Sequence, residues 1–296
     1  MSSLRLLFTL LVLPSLAFFE KDSTPSELEI SHRARSLQPG EVVLITAKSK
    51  APLQSMQGRA FSTMFPFYPT RDQTVWQGLI GIDLETTPGT YRLSLEGATE
   101  KGSSIRAQYK LQVMRKEFPT RRLRVAEKYV NPPAEVLARI RKESKRVNDI
   151  FEILTPEKIW GGSFLSPVPG APTSGFGKRS ILNDQPRSPH GGTDFNAEAG
   201  TPVKAPNKGK VVLASNLYYS GNTVILDHGH GLYSYFAHLS RFAVAEGKTV
   251  APGEMIGYVG ATGRVTGPHL HWSVRLNGTR VDPLSLIAVF LDGNVH

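Results

Sequence analysis

The chain has no cysteine among its 296 residues. That excludes a disulfide framework, a thiolate nucleophile and any thiolate metal site, and leaves nitrogen and oxygen donors as the only protein ligands for a metal. Long apolar runs are missing too. The stretch from Leu6 to Leu13 is well short of the roughly 20 residues a spanning helix needs, and Pro14 interrupts it. With Arg5 ahead of it and small residues at Ser15 and Ala17, it reads as a secretory signal over residues 1–17. An uncleaved anchor is the alternative. After cleavage no membrane span would remain, and an exported protein is expected. Acidic residues are the third scarcity: 25 Asp and Glu face 35 Lys and Arg, for a net charge of +10. Much of the excess lies between Lys110 and Asp149, with twelve basic against five acidic residues. Phe118 and Tyr129 are its only aromatics, with no regular interleaving among the charges, and export opposes nucleic acid as a partner. A solvated basic face, or electrostatic contact with an anionic wall or envelope surface, remains.

What is present has the profile of a globular chain, 40% hydrophobic and 20% charged. From Glu29 to Val113, "EVVLITAKS", "TVWQGLIGIDL", "TYRLSLEG" and "RAQYKLQVM" have the length and alternation of strands. Turn signals such as "QPGE" and "TTPGT" separate them. The spacing predicts an immunoglobulin-like β-sandwich without catalytic features. "PPAEVLARIRKESKRVNDIFEIL" then places Val136, Ile140, Val147, Ile150 and Leu154 on one face of a helix, with Pro133 at its start and Pro156 beyond its end. After Trp160 the chain turns Gly-rich and strand-like again, predicting an antiparallel β-domain.

Four of the eight histidines fall in three short stretches of that domain: "PHGGTDF" with His190 and Asp194, "YFAHLS" with His238, and "PHLHW" with His269 and His271. Residues i and i+2 of a strand share a face, so His269 and His271 point together; the spacing suits one to reach a metal and the other to face a water beside it. Gly191 and Gly192 make a helix improbable between His190 and Asp194, so an extended turn is expected to bring carboxylate and imidazole together. Two imidazoles, one carboxylate and an open position compose a catalytic zinc site. The "DHGHG" stretch reads instead as a hairpin turn carrying His228 and His230. Tyr233, Tyr235 and Arg264 are candidates to line a groove, with core packing or solvent exposure as competing explanations.

"HGGTD", "YFAHLS" and "GPHLH" in that order, with "GTPVKAPNKGKVV" after the first and "GATG" before the last, resemble the lysostaphin-type zinc metallopeptidases, the bacterial murein endopeptidases. The resemblance covers about Phe164 to Leu286. It implies that His190, Asp194 and His271 bind one Zn2+ per chain and that His238 and His269 are catalytic, sharing the roles of general base and oxyanion stabiliser. The implied reaction is hydrolysis of peptide bonds in peptidoglycan cross-links or stem peptides by a protein of the periplasm, cell envelope or extracellular space. The alternative is a non-catalytic wall-binding protein or an activator of another wall hydrolase. The expected organisation is mainly β: signal 1–17, sandwich 18–118, basic linker with helix 119–160, zinc peptidase domain 161–290 and a tail, 291–296.

Overall fold

The computed structural model describes residues 27–70, 72–124, 127 and 130–291. The proposed signal at 1–17 and nearly all of the tail lie outside the described residues. Among those described, no helix is long and apolar enough to cross a membrane.

Seven antiparallel strands build the front half: β1 (Leu28–Arg33), β2 (Val42–Ser49), β3 (Leu53–Ala60), β4 (Thr63–Pro69), β5 (Val75–Gly81), β6 (Gly89–Thr99) and β7 (Ser104–Val113). Their order is β1-β2-β5-β4-β3-β6-β7. Strand β4 pairs with β3 at its start and with β5 at its end, so it turns the corner between two layers. Period-two alternation makes this arrangement stable. In β7, Arg106, Gln108 and Lys110 face out while Tyr109, Leu111 and Val113 face in. The inward sets of both layers meet in one core that includes Ile45, Leu53, Phe65, Trp76 and Leu93.

Strand β8 (Thr120–Leu123) leads to helix α1 (Ala134–Glu152), and β9 (Pro172–Ser174), β10 (Arg179–Leu182), β11 (Gln185–Arg187) and β12 (Gly192–Phe195) follow. Then come β13 (Pro202–Lys204), β14 (Gly209–Leu217), β15 (Gly221–Gly229), β16 (Leu232–Phe242), β17 (Thr249–Val250), β18 (Met255–Val259), β19 (Leu270–Leu276), β20 (Thr279–Val281) and helix α2 (Pro283–Leu291). The main sheet runs β17-β14-β15-β16-β19-β12-β9, with β13, β18 and β20 attached at its margins. A small sheet β11-β10-β8 stands beside it, where β8 pairs parallel with β10.

One face of the main sheet carries Leu226, Phe236, Trp272 and Val274, covered by Leu286 and Phe290 of α2. Val42, Leu44, Tyr68 and Leu79 of the front half join the same cluster, so the two halves share a continuous core. Polar links reinforce the seam. The Arg35 guanidinium bridges Glu41 at 2.8 Å and Asp282 at 2.6 Å, and Arg280 pairs with Asp83 at 2.9 Å.

Helix α1 starts after Pro133 as expected, and Val147 and Ile150 turn inward against Leu213, Leu217 and Ile225. Phe151, not anticipated, packs edge-on to Tyr233 with ring centroids 5.5 Å apart. Leu154 was expected on the same face but is 52% exposed. The helix ends at Glu152 and Ile153 is extended, so the helical spacing no longer applies at Leu154.

Candidate metal centre

Three adjacent strands deliver the site to the second face of the main sheet. Asp194 of β12 lies opposite His271 of β19, and His271 lies opposite Ala237 of β16. Directly paired residues share a face, so the Asp194 and His271 side chains meet: His271 Nδ1 is 2.9 Å from Asp194 Oδ1. His190 enters from the extended lead-in to β12, and its Nε2 stands 3.1 Å from the same carboxylate oxygen and 3.0 Å from His271 Nδ1. These three groups offer ligand atoms all within 4.8 Å of one another.

His269 precedes β19, held by an isolated bridge to Gly260, and its Nε2 lies 3.9 Å from Asp194 Oδ1. His238 arrives by a different device. Strand β16 pairs with β19 as far as Ala237 and with β18 from Leu239, and between them His238 takes a left-handed φ of 64°. A regular strand would turn residue 238 away from the face of Ala237. The irregularity brings its ring to within 4.9 Å of the His269 centroid and 6.1 Å of His271. Such a backbone costs of order 1–3 kcal/mol in a non-glycine residue and persists only where the surroundings impose it. Here the His238 N–H donates to Ser220 O at 2.8 Å.

Backbone carbonyls fix the tautomers. His190 Nδ1 contacts Gly175 O at 3.1 Å, His238 Nδ1 contacts Thr262 O at 2.9 Å and His269 Nδ1 contacts Gly267 O at 2.9 Å. A carbonyl only accepts, so each Nδ1 carries a proton, and the tautomer this selects is the one with its lone pair on Nε2. Burial alone would raise the Asp194 carboxyl, but the His190 and His271 hydrogen bonds outweigh it and hold the group well below the usual carboxylate range. Burial pushes His238 down to about 3, with the His271 and His269 rings adding to the effect. Burial also lowers His271. Near pH 7 Asp194 is therefore a carboxylate, and the His238 and His271 rings beside it are neutral imidazoles. Side-chain exposures of 14% to 22% leave His190, Asp194, His271 and His269 desolvated yet reachable.

Residues 188–283 match the sequence profile of peptidase family M23. The solved structure of a candidate M23 peptidase from Pseudomonas aeruginosa is 31% identical, covers 87% of this chain and 97% of that chain, and superposes with a TM-score of 0.67. The chain belongs to peptidase family M23. Among curated relatives, the DD-carboxypeptidase/endopeptidase Mpg of Neisseria meningitidis serogroup B is 46% identical over 97 residues, 33% of this chain and 22% of that protein. The peptidoglycan DD-endopeptidase ShyA of Vibrio cholerae is 43% identical over 97 residues, 33% of this chain and 23% of that protein. The chain thus matches less than a quarter of the length of either.

The histidines outside the M23 cluster divide differently from the sequence expectation. His230 does sit in the β15–β16 hairpin turn, where it and Gly231 take φ of 50° and 71°. His228 does not: it belongs to β15, is fully buried, and contacts Lys208 O at 2.8 Å and Ser234 Oγ at 2.9 Å. Of the groove candidates, Tyr235 stands beside the cluster, its ring 6.4 Å from that of His271. Tyr233 is core, 1% exposed and donating to Ile153 O. Arg264 stacks over Tyr219 at 4.8 Å. The carbonyls of Gly175, Thr262 and Gly267 escaped sequence reading because a backbone acceptor has no residue signature.

Proposed function

We propose that this protein is an exported zinc-dependent endopeptidase that hydrolyses peptide bonds in peptidoglycan cross-links or stem peptides. The observation that carries the reading is the convergence of His190 Nε2, His271 Nδ1 and Asp194 Oδ1. His190 Nε2 and the carboxylate oxygen are acceptors, and His271 Nδ1 can give a proton to only one of them, so a cation is the occupant that satisfies all three. Two imidazoles and one carboxylate without thiolate form the donor set of a catalytic zinc, and the Gly175 carbonyl holds the His190 tautomer that ligation requires. Zinc held there supplies Lewis acidity, enough to make water a nucleophile near neutral pH and to polarise the scissile carbonyl.

The remaining chemistry belongs to His238 and His269. Both rings are pinned through Nδ1, so both direct Nε2 toward the reacting region. His238 is neutral at pH 7 and can accept the water's proton; an imidazolium so formed can return it to the leaving amine. With the other ring beside the developing oxyanion, electrostatic stabilisation is the larger share of the rate. We also read the front half as immunoglobulin-like, because its layers β1-β2-β5-β4 and β3-β6-β7 follow the order of a constant-type sandwich, and we assign it the task of positioning the enzyme on the wall.

The test is turnover of purified muropeptides. Chelation should abolish cleavage and zinc restore it, and His238→Ala and His269→Ala should each lower kcat by about 100-fold or more while remaining folded. Saturable binding to sacculi with no turnover of any muropeptide would favour a recruiting role instead.

A further inference from the structure

The loop from Gly260 to Arg264 follows β18 and runs in backbone contact with the turn before β15 on one side and with β16 on the other. A Cβ added at Gly260 would collide with the Ser240 backbone, one at Gly263 with the Gly221 nitrogen, and one at Gly221 with the Thr262 carbonyl. Gly221 and Gly263 also take φ of 63° and 78°, so glycine is required there for both space and conformation. The Arg264 N–H donates to Tyr219 O at 2.7 Å and closes the loop onto the same turn.

Within this loop Thr262 reaches both flanking strands through its side chain. Its Oγ1 accepts from the Asn222 N–H at 2.9 Å and donates to Leu239 O at 2.8 Å. Asn222 and Leu239 are register partners across β15 and β16, so the hydroxyl ties the two strands together at that rung. The rung adjoins the irregularity that delivers His238. Val224 pairs with Phe236 and Asn222 with Leu239, which leaves Thr223 alone opposite Ala237 and His238. An extra residue on one strand re-aims a side chain in this way. The same threonine then orients the ring, because the His238 Nδ1–H donates to Thr262 O at 2.9 Å. Its hydroxyl thus holds the backbone one position after His238, and its carbonyl holds the imidazole.

We infer that Thr262 is a positioning residue for His238, its hydroxyl anchoring the carbonyl that selects the ring's tautomer and aims Nε2 at the reacting region. This rests on the hydrolase reading and deepens it, since His238 is the group assigned to accept the water's proton. Valine has nearly the shape of threonine without the hydroxyl. It would strip the Asn222 N–H and the Leu239 carbonyl of that partner and release the loop to carry its own carbonyl off the ring. Small displacements of a proton-transferring group are costly to the rate and nearly silent in binding.

The experiment compares zinc-loaded parent, Thr262→Val and Thr262→Ser proteins. Muropeptide turnover, zinc content and the His238 tautomer are measured on each, the last by long-range proton–nitrogen correlation in histidine labelled with nitrogen-15. Thr262→Val should lose roughly ten- to hundredfold in kcat with KM within about twofold of the parent. It should keep one zinc per chain, while His238 changes from the Nδ1–H form alone to a mixture of tautomers. Thr262→Ser, which retains the hydroxyl, should restore both kcat and the single tautomer. A parent that already carries the Nε2–H form of His238 overturns the inference whether or not the variants fold. So does Thr262→Val with the parent's kcat and tautomer, or a Thr262→Ser protein that loses as much rate as Thr262→Val with the tautomer unmoved; in each case cleavage by the parent leaves the hydrolase reading standing. If the parent cleaves no muropeptide, yet Thr262→Val shifts the tautomer and Thr262→Ser restores it, the positioning role stands and the hydrolase reading falls.

Discussion

Two adjacent glycines separate His190 from the β12 carboxylate, and they should respond oppositely to a methyl group. A Cβ added at Gly192 would stand 2.5 Å from the Trp272 carbonyl oxygen, 2.7 Å from Ser273 Cβ and 2.8 Å from His271 Cε1. One added at Gly191 would meet nothing within 4 Å. Neither residue has a positive φ, so substitution tests space and not backbone freedom. The Trp272 carbonyl belongs to the middle of β19 and cannot retreat without parting the β12–β19 ladder. Relief must come from strand separation, from the His271 ring, or from both. Overpacking of this kind costs about 1–3 kcal/mol, and moving a ligating ring off its line lowers metal affinity by roughly 10- to 100-fold, as loss of a supporting contact does. Gly192→Ala and Gly191→Ala proteins would be compared by denaturant unfolding of the metal-free form and by competitive zinc titration against a chromophoric chelator. Gly192→Ala should lose both stability and affinity. Gly191→Ala should stay within about 0.5 kcal/mol of the parent. If Gly192→Ala binds zinc as the parent does and is equally stable, the close approach of β12 to the His271 ring does not set the site.

Two further outcomes follow from the same contacts. Phe176 is 7% exposed, wedged beside Gly40 and Phe118, and adjoins the Gly175 carbonyl that orients His190. Phe176→Ala should cost about 3 kcal/mol and lower zinc affinity by about tenfold; an unchanged affinity in a destabilised protein would show that front-half packing does not reach the cluster. Burial pushes the His228 imidazole down to about 4. The unfolded chain therefore takes up that proton first, near pH 6.5, and stability is lost as pH falls from about 6.5 toward 4, by roughly 2–4 kcal/mol from this group alone. His228→Asn should be less stable at pH 7 but show a shallower acid dependence in chemical unfolding; an unchanged slope would remove His228 as the cause.

Much of this arrangement is written locally in the chain. Strand alternation predicted that His269 and His271 share a side, and both reach Asp194. The glycines after His190 argued against a helix, and the segment is extended. Where local pattern met tertiary context it failed. His228 sits in a Gly-interleaved stretch that looks like a turn, yet β15 continues through it because Lys208 O and Ser234 Oγ satisfy both ring nitrogens. Helical spacing favoured Leu154 over Phe151, since nothing local marks the end of α1 at Glu152. The parallel pairing of β8 with β10 joins a segment read as linker to the hairpin ahead of His190, and no periodicity announces a long-range partner. Likewise Val42 and Leu44 look like core residues of their own sandwich; only the folded chain reveals that they complete the second core.

The division of labour among the five site residues is tested most directly by metal content. Parent, His238→Ala and His269→Ala proteins, dialysed against limiting zinc and analysed by mass spectrometry, should each retain one zinc per chain. His190→Ala, Asp194→Ala and His271→Ala should retain almost none, with affinities lower by at least about 100-fold. Full zinc occupancy without Asp194, or its loss on replacing His238, would contradict the account.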